Sequence, residues 1–128
     1  MKYIIDTSSW IEYFNGTESG KKVLEIIENE ENEILTSVIT ITELMFFFNK
    51  RKIPFEDSKN KILSISKIIP IDLILAEQTG VIYSKIKPNR PKLSLADCII
   101  LTTAIIFTAK IITKDQDFQG LKEAILIN

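Results

Sequence analysis

A chain of 128 residues, 45% apolar and 26% charged with a net charge of −1, has the length and composition of one globular domain. Residues 1–128 are therefore expected to share one core. No histidine is present, which excludes Ser-His-Asp and Cys-His nucleophilic sites, histidine-ligated zinc and histidine acid–base cleavage of RNA.

The chain opens Met1-Lys2-Tyr3-Ile4-Ile5-Asp6, turning acidic before any apolar stretch of signal-peptide length. A cytosolic protein is expected, with no membrane partner. Lys2 to Asp6 reads as a β-rich strand ending on an acid, and Ser9 to Asn15 as a short helix closed by the turn Asn15-Gly16. Thr17 is placed to cap a second helix to about Asn29, whose Val23, Leu24, Ile26 and Ile27 share an apolar side. Glu33 to Thr36 reads as a strand, and Ser37 as the cap of a helix from Val38 to about Lys50 that carries Glu43. Pro54 suits the first turn of a fourth helix through about Ser66, followed by a strand from Lys67 to Ile71.

Asp72 then caps a fifth helix reaching Lys87, and Pro88-Asn89-Arg90-Pro91 makes a rigid link to Ser94, the cap of a sixth. The run Cys98 to Phe107 in that helix is apolar but falls short of the roughly 20 residues of a membrane span. Cys98, the only cysteine, reads as a small buried hydrophobe, with no partner for a disulfide or a zinc site. Ile111 to Thr113 forms a strand leading into Lys114-Asp115-Gln116-Asp117-Phe118, and Ile125 to Ile127 a last edge strand. Strands alternate with helices throughout. This pattern predicts an α/β fold: a mainly parallel sheet of four to five strands with helices on both faces.

In such a sheet the ligand site lies beyond the carboxyl ends of the strands. Asp6 and Asp115 end strands, while Asp97 and Glu43 stand near helix starts that face the same rim. Three or four carboxylates so placed repel by several kcal/mol unless cations neutralise them. Oxygen ligands without imidazole or thiolate favour Mg2+ or Mn2+, and with those ions the common reaction is phosphodiester hydrolysis. Each acid also has a purely structural reading. Ser94-Leu95-Ala96-Asp97 and Thr40-Ile41-Thr42-Glu43 both have the pattern of a capping box, and a strand-end aspartate is often only a turn former. The joint placement of the four favours a site.

Four segments together resemble the PIN-domain family. They are Tyr3-Ile4-Ile5-Asp6-Thr7-Ser8-Ser9-Trp10-Ile11, Thr36-Ser37-Val38-Ile39-Thr40-Ile41-Thr42-Glu43-Leu44, Leu93-Ser94-Leu95-Ala96-Asp97-Cys98-Ile99-Ile100 and Ile112-Thr113-Lys114-Asp115-Gln116-Asp117-Phe118. The resemblance implies that Asp6, Asp97 and Asp115 ligate Mg2+ or Mn2+. It assigns Glu43 to the same site, either as a metal ligand or just outside the ligands orienting the attacking water, and leaves Asp117 as a ligand or a loop holder. Thr7 and Thr113 would hydrogen-bond a water or a carboxylate, or serve only as strand-end polar residues. Phe107-Thr108-Ala109-Lys110 departs from the family, which often has a glycine in that turn.

The compact length is similar to the toxin branch of the family, the VapBC type. That implies endonucleolytic cleavage of structured RNA, transfer or ribosomal, and a cognate antitoxin that silences the site by placing an Arg or Lys near the carboxylates. Alternatives are an RNA-processing PIN nuclease outside toxin–antitoxin systems and a PIN-like module that binds without cleaving. A receiver-like or phosphatase-like acidic site would need a lysine partner, which Lys114 matches poorly. Setting aside Asp6, Glu43, Asp97, Asp115 and Asp117 leaves 12 acids against 16 bases, so the rest of the chain is positive. Lys50-Arg51-Lys52 and the Lys85, Lys87, Arg90, Lys92 series are candidate phosphate contacts, with ordinary solvated charge the favoured reading for the first. Leu44 to Phe48 supplies five large apolar residues in succession, which one helix cannot turn to a single core, so this helix is expected in a homodimer interface, an antitoxin groove, or both.

Overall fold

The computed structural model describes residues 1–128. Five strands, β1 (Lys2–Ile5), β2 (Glu33–Ser37), β3 (Lys67–Ile69), β4 (Lys110–Thr113) and β5 (Ala124–Leu126), pair in the order β3-β2-β1-β4-β5. Every pairing is parallel, so each connection must cross over a face of the sheet, and helices make most of the crossings. The helices are α1 (Thr7–Asn15), α2 (Glu18–Glu28), α3 (Val38–Lys50), α4 (Glu56–Ile65), α5 (Leu73–Ile86) and α6 (Leu95–Phe107), with a 3-10 turn at Gln116–Phe118. The α/β architecture expected from the sequence is the one observed.

Residues that alternate along a strand point to opposite faces, and this divides the core in two. Ile4, Leu35, Ile69 and Ile111 face Leu75, Ile100, Leu101 and Ala104 of α5 and α6. Ile5, Ile34 and Ile112 face Trp10, Val23, Leu44, Phe48 and Ile62 of α1 to α4. The chain runs outward from β1 through β2 to β3 on one side, then returns past β1 to lay down β4 and β5 on the other. The reversal falls between β1 and β4. A crevice for ligand opens at the carboxyl ends of strands at such a switch point, so Asp6 and the segment after Thr113 flank it.

Helix ends follow the local chemistry. Thr17, Ser37, Asp72 and Ser94 each accept a hydrogen bond from a first-turn amide, as their positions predict. Three boundaries shift by two residues, and others, among them those of β2, β4 and β5, by one. The first helix begins at Thr7, two residues before Ser9, because the chain turns helical directly after Asp6. The fourth starts at Glu56, leaving Pro54 outside it: buried Phe55 packs on Phe48 at 4.9 Å between ring centroids, and Glu56 and Asp57 complement the helix dipole. Strand β3 stops at Ile69, since Pro70 has no amide to continue a ladder. At the turn before β4, where a glycine is absent, Thr108 takes the left-handed conformation itself, with φ 54°.

Candidate metal centre

Asp6 stands at the N-cap of α1 with extended backbone, yet its side chain makes no cap bond to the first turn. Its carboxylate is instead held by the Thr113 hydroxyl at 2.8 Å, with the Ser8 hydroxyl at 3.5 Å. Asp6 is 6% exposed, and burial pushes its pKa up to about 7. The Thr113 hydroxyl and the Thr7 amide oppose that rise, while the negative charges of Asp97 and Glu43 add to it. Asp6 is thus a buried acid at the mouth of the β1/β4 crevice, held by hydroxyls and coupled to two further acids.

Asp97 and Asp115 come from opposite sides of that mouth. Asp97 lies in the first turn of α6 and forms a complete capping box: its amide donates to Ser94 Oγ and its Oδ2 accepts from the Ser94 amide, both at 3.0 Å. Its structural reading is thus fulfilled, but the same side chain also meets a cluster. One oxygen each of Asp97, Asp115 and Asp117 lies within 4.8 Å of the others, all half-buried. Burial raises the pKa of Asp97 above the usual carboxylate range; the Ser94 bonds lower it, and Asp115 and Asp117 raise it further. No ion pair reaches any of these acids. Asp115 itself folds the 3-10 turn, with Oδ1 accepting from the Asp117 amide at 2.9 Å and its own amide donating to Thr113 Oγ1 at 3.0 Å.

Glu43 approaches from the side of α3, fixed by a 2.6 Å hydrogen bond from the Thr7 hydroxyl. Its capping-box pattern does not operate. Ser37, not Thr40, caps α3, and Thr40 lies fully buried within the helix with its hydroxyl unpartnered. The electrostatic couplings order the acids as an arc: Glu43 beside Asp6, Asp6 beside Asp97, and Asp97 beside Asp115 and Asp117. The tight group therefore contains Asp117, which sequence reasoning left open, and has Asp6 next to it rather than inside it.

Threonine and serine hydroxyls, which local patterns barely distinguish from ordinary strand-end residues, hold the arc. Thr113 bridges the Asp6 carboxylate and the Asp115 amide, and Ser8 accepts from the Lys114 amide at 3.0 Å. Lys114 Nζ pairs with Glu12 of α1, so it offers no partner to Asp115. Among the expected phosphate contacts, Lys87 donates to the Pro91 and Leu93 carbonyls and Arg90 to those of Asp117 and Gln119. Lys85 and Lys92 are exposed. Lys50-Arg51-Lys52 follows the end of α3, roughly 20 Å of helix from the rim where that helix begins, which removes it from the site. The largest groove, about 430 Å³ along Val38, Ile41, Met45 and Phe46 of α3, carries no acid; the carboxylates and not concavity mark the chemistry.

The donor set fits a hard divalent cation. Clustered carboxylate oxygens without an opposing cation, and without histidine or thiolate nearby, match Mg2+ or Mn2+ better than zinc or copper.

A family model described as PIN domain matches residues 3–124, and the chain belongs to the PIN-domain family. Among solved structures it is similar to a chain of a toxin–antitoxin complex from Klebsiella pneumoniae, at 30% identity over 98% of both chains and a TM-score of 0.77. It shares its fold with VapBC2 from Rickettsia felis, bound to a DNA fragment from its promoter (22% identity, 98% of this chain and 97% of that one, TM-score 0.77). The fold is also that of VapC20 from Mycobacterium tuberculosis, a sarcin–ricin loop cleaving toxin (14% identity, 94% and 95% covered, TM-score 0.71). Comparison with curated protein sequences gives no significant match. No helix is long and apolar enough to cross a membrane.

Proposed function

We propose that residues 1–128 act as a cytosolic, Mg2+- or Mn2+-dependent endoribonuclease, the toxin of a toxin–antitoxin pair. The observation that carries this reading is the arc of five acids at the β1/β4 switch point of a PIN-domain chain, with an acid at each position that the resemblance assigns to the site. That completeness favours a nuclease over a module that only binds. The similarity to a chain of a toxin–antitoxin complex favours the toxin branch over RNA processing.

Asp97, Asp115 and Asp117 would hold the cation, with Asp6 as the buried acid beside them, kept in place by Thr113. The bound ion would acidify a water and offset charge on the phosphorus and leaving oxygen. Glu43, immobilised by Thr7, orients the attacking water and accepts its proton. The water oxygen bonds to phosphorus as the bond to the leaving ribose oxygen breaks, and that oxygen leaves with a proton from solvent. Structured RNA, transfer or ribosomal, is the substrate class. A cognate antitoxin would silence the site with an Arg or Lys that replaces part of the cation's charge, and the apolar groove on α3 would serve a homodimer or that antitoxin.

Incubating the purified chain with total RNA in Mg2+, Mn2+ or chelator, then mapping the ends, tests the reading. Discrete new ends with metal and none with chelator are expected. Intact RNA under all three conditions, or equal cutting in chelator, contradicts it.

A further inference from the structure

Two of the acids in the cluster sit on the segment that follows β4, the third on α6, and nothing in either element alone fixes their separation. Arg90 spans that gap. It lies in the link between α5 and α6, four residues before Ser94, and its Nη1 donates to the Gln119 carbonyl at 2.8 Å and the Asp117 carbonyl at 3.3 Å. Asp117 is the middle residue of the 3-10 turn and Gln119 its C-cap, with Asp115 at the N-cap.

The link itself is stiff. Pro88 and Pro91 flank Arg90, its amide donates to the Ile86 carbonyl at 2.9 Å, the Leu93 amide donates to the Arg90 carbonyl at 3.0 Å, and Lys87 Nζ ties down Pro91 and Leu93. Ser94 and its capping box with Asp97 follow at once. A second observation comes from the other side of the contact. Gly120 has φ +88°, and a Cβ there would stand 3.1 Å from Arg90 Nη2, so the turn closes against the guanidinium at a residue without a side chain. Arg90 takes part in none of the ion pairs, so its attachment to the turn is through main-chain carbonyls.

We infer that Arg90 is a positioning residue for the metal centre: a strut from the α5–α6 link to the 3-10 turn that sets the spacing of Asp97 against Asp115 and Asp117. This rests on the metal reading above and adds to it a residue that touches no ligand atom. Partners that orient metal-binding carboxylates commonly change metal affinity by 10- to 100-fold when removed.

The test measures Mn2+ binding by electron paramagnetic resonance, together with hydrogen exchange and thermal melting of the metal-free protein, for wild type and Arg90→Ala. The expected result is Mn2+ binding weakened about 10-fold. Amides of Phe118 and Gln119, which close the turn onto Asp115 and Gln116, should exchange faster, while Ile111 and Ile112 in the sheet keep their protection. Metal-free melting temperature should stay within a few degrees, because Arg90 is half-exposed and outside the core. Equal Mn2+ affinity in the two proteins overturns the inference alone, as does weakened affinity accompanied by loss of sheet protection, which would make Arg90 a general stabiliser. Absence of Mn2+ binding by wild type overturns the metal reading and this inference with it.

Discussion

The Asp97 carboxylate both caps α6 and faces Asp115 and Asp117, and the two can be separated by substitution. Asn keeps an acceptor for the Ser94 amide, and the Asp97 amide still donates to Ser94 Oγ, so the cap survives. What Asn removes is the charge facing Asp115 and Asp117. Metal-free Asp97→Asn is expected to melt at or above the wild-type temperature. Magnesium at 100 times its dissociation constant stabilises wild type by about 2.7 kcal/mol, a rise of several degrees, and should move the variant clearly less. Equal shifts in differential scanning fluorimetry would leave Asp97 as a cap only.

Asp6 gives a pH dependence with a definite sign. Its folded-state pKa of about 7 stands above the ordinary 3.8, so between those values the native protein keeps a proton that the unfolded chain releases. Metal-free stability contributed by this group is therefore full below about pH 4 and is lost as pH rises to about 7. Urea titrations in chelator at pH 5.5 and 8 should show lower stability at pH 8, and Asp6→Asn should reduce that difference. An unchanged difference in the variant would mean that other groups set the profile.

At the scale of elements, α3 and the turn after α6 carry the next two expectations. Met45 and Phe46 are 55% and 69% exposed while Leu44 and Phe48 are buried, so the five-residue apolar run divides between the core and an uncovered groove. Phe46→Glu should leave thermal stability within about 0.5 kcal/mol, as for surface substitutions. It should abolish either self-association by light scattering at micromolar concentration or copurification with a co-expressed antitoxin of the proposed pair. If both persist, α3 is not an interface. Thr108 holds a left-handed conformation that costs a β-branched residue on the order of 1 kcal/mol. Thr108→Gly should raise the urea midpoint slightly, by up to about 1 kcal/mol in stability; a lower midpoint would show that the threonine side chain contributes more than its backbone costs.

These elements also mark what the sequence could convey. Ser94 and Asp97 announced a capping box because both partners lie within one turn, and the structure forms it. Thr40 and Glu43 carry the same spacing, but strand pairing carries β2 on to Ser37, already the expected cap, so their box does not form. The exchange of Asp117 for Asp6 in the tight group has a similar origin: the 3-10 turn that aims Asp117 depends on Asp115 accepting its amide and on Arg90, 27 residues away, gripping its carbonyl.

For the whole molecule, the alternation of short apolar strands with helices was enough to read a parallel sheet, and parallel sheets put strand ends and helix starts on one rim. The order β3-β2-β1-β4-β5 adds the reason that Asp6 and the segment carrying Asp115 come to one rim: their strands pair directly, with Ile5 level with Ile112. No local signal specifies that order. That the acids on this rim hold a cation for cleavage of RNA is the central claim. It is tested most directly by comparing wild type with Asp97→Asn and Asp115→Asn on one mapped RNA site in saturating Mg2+, with folding checked by melting in chelator. The expected result is folded variants whose cleavage rate falls by at least about 100-fold, the scale of losing a group that acts on the transition state. Wild-type rates in both folded variants would contradict the claim.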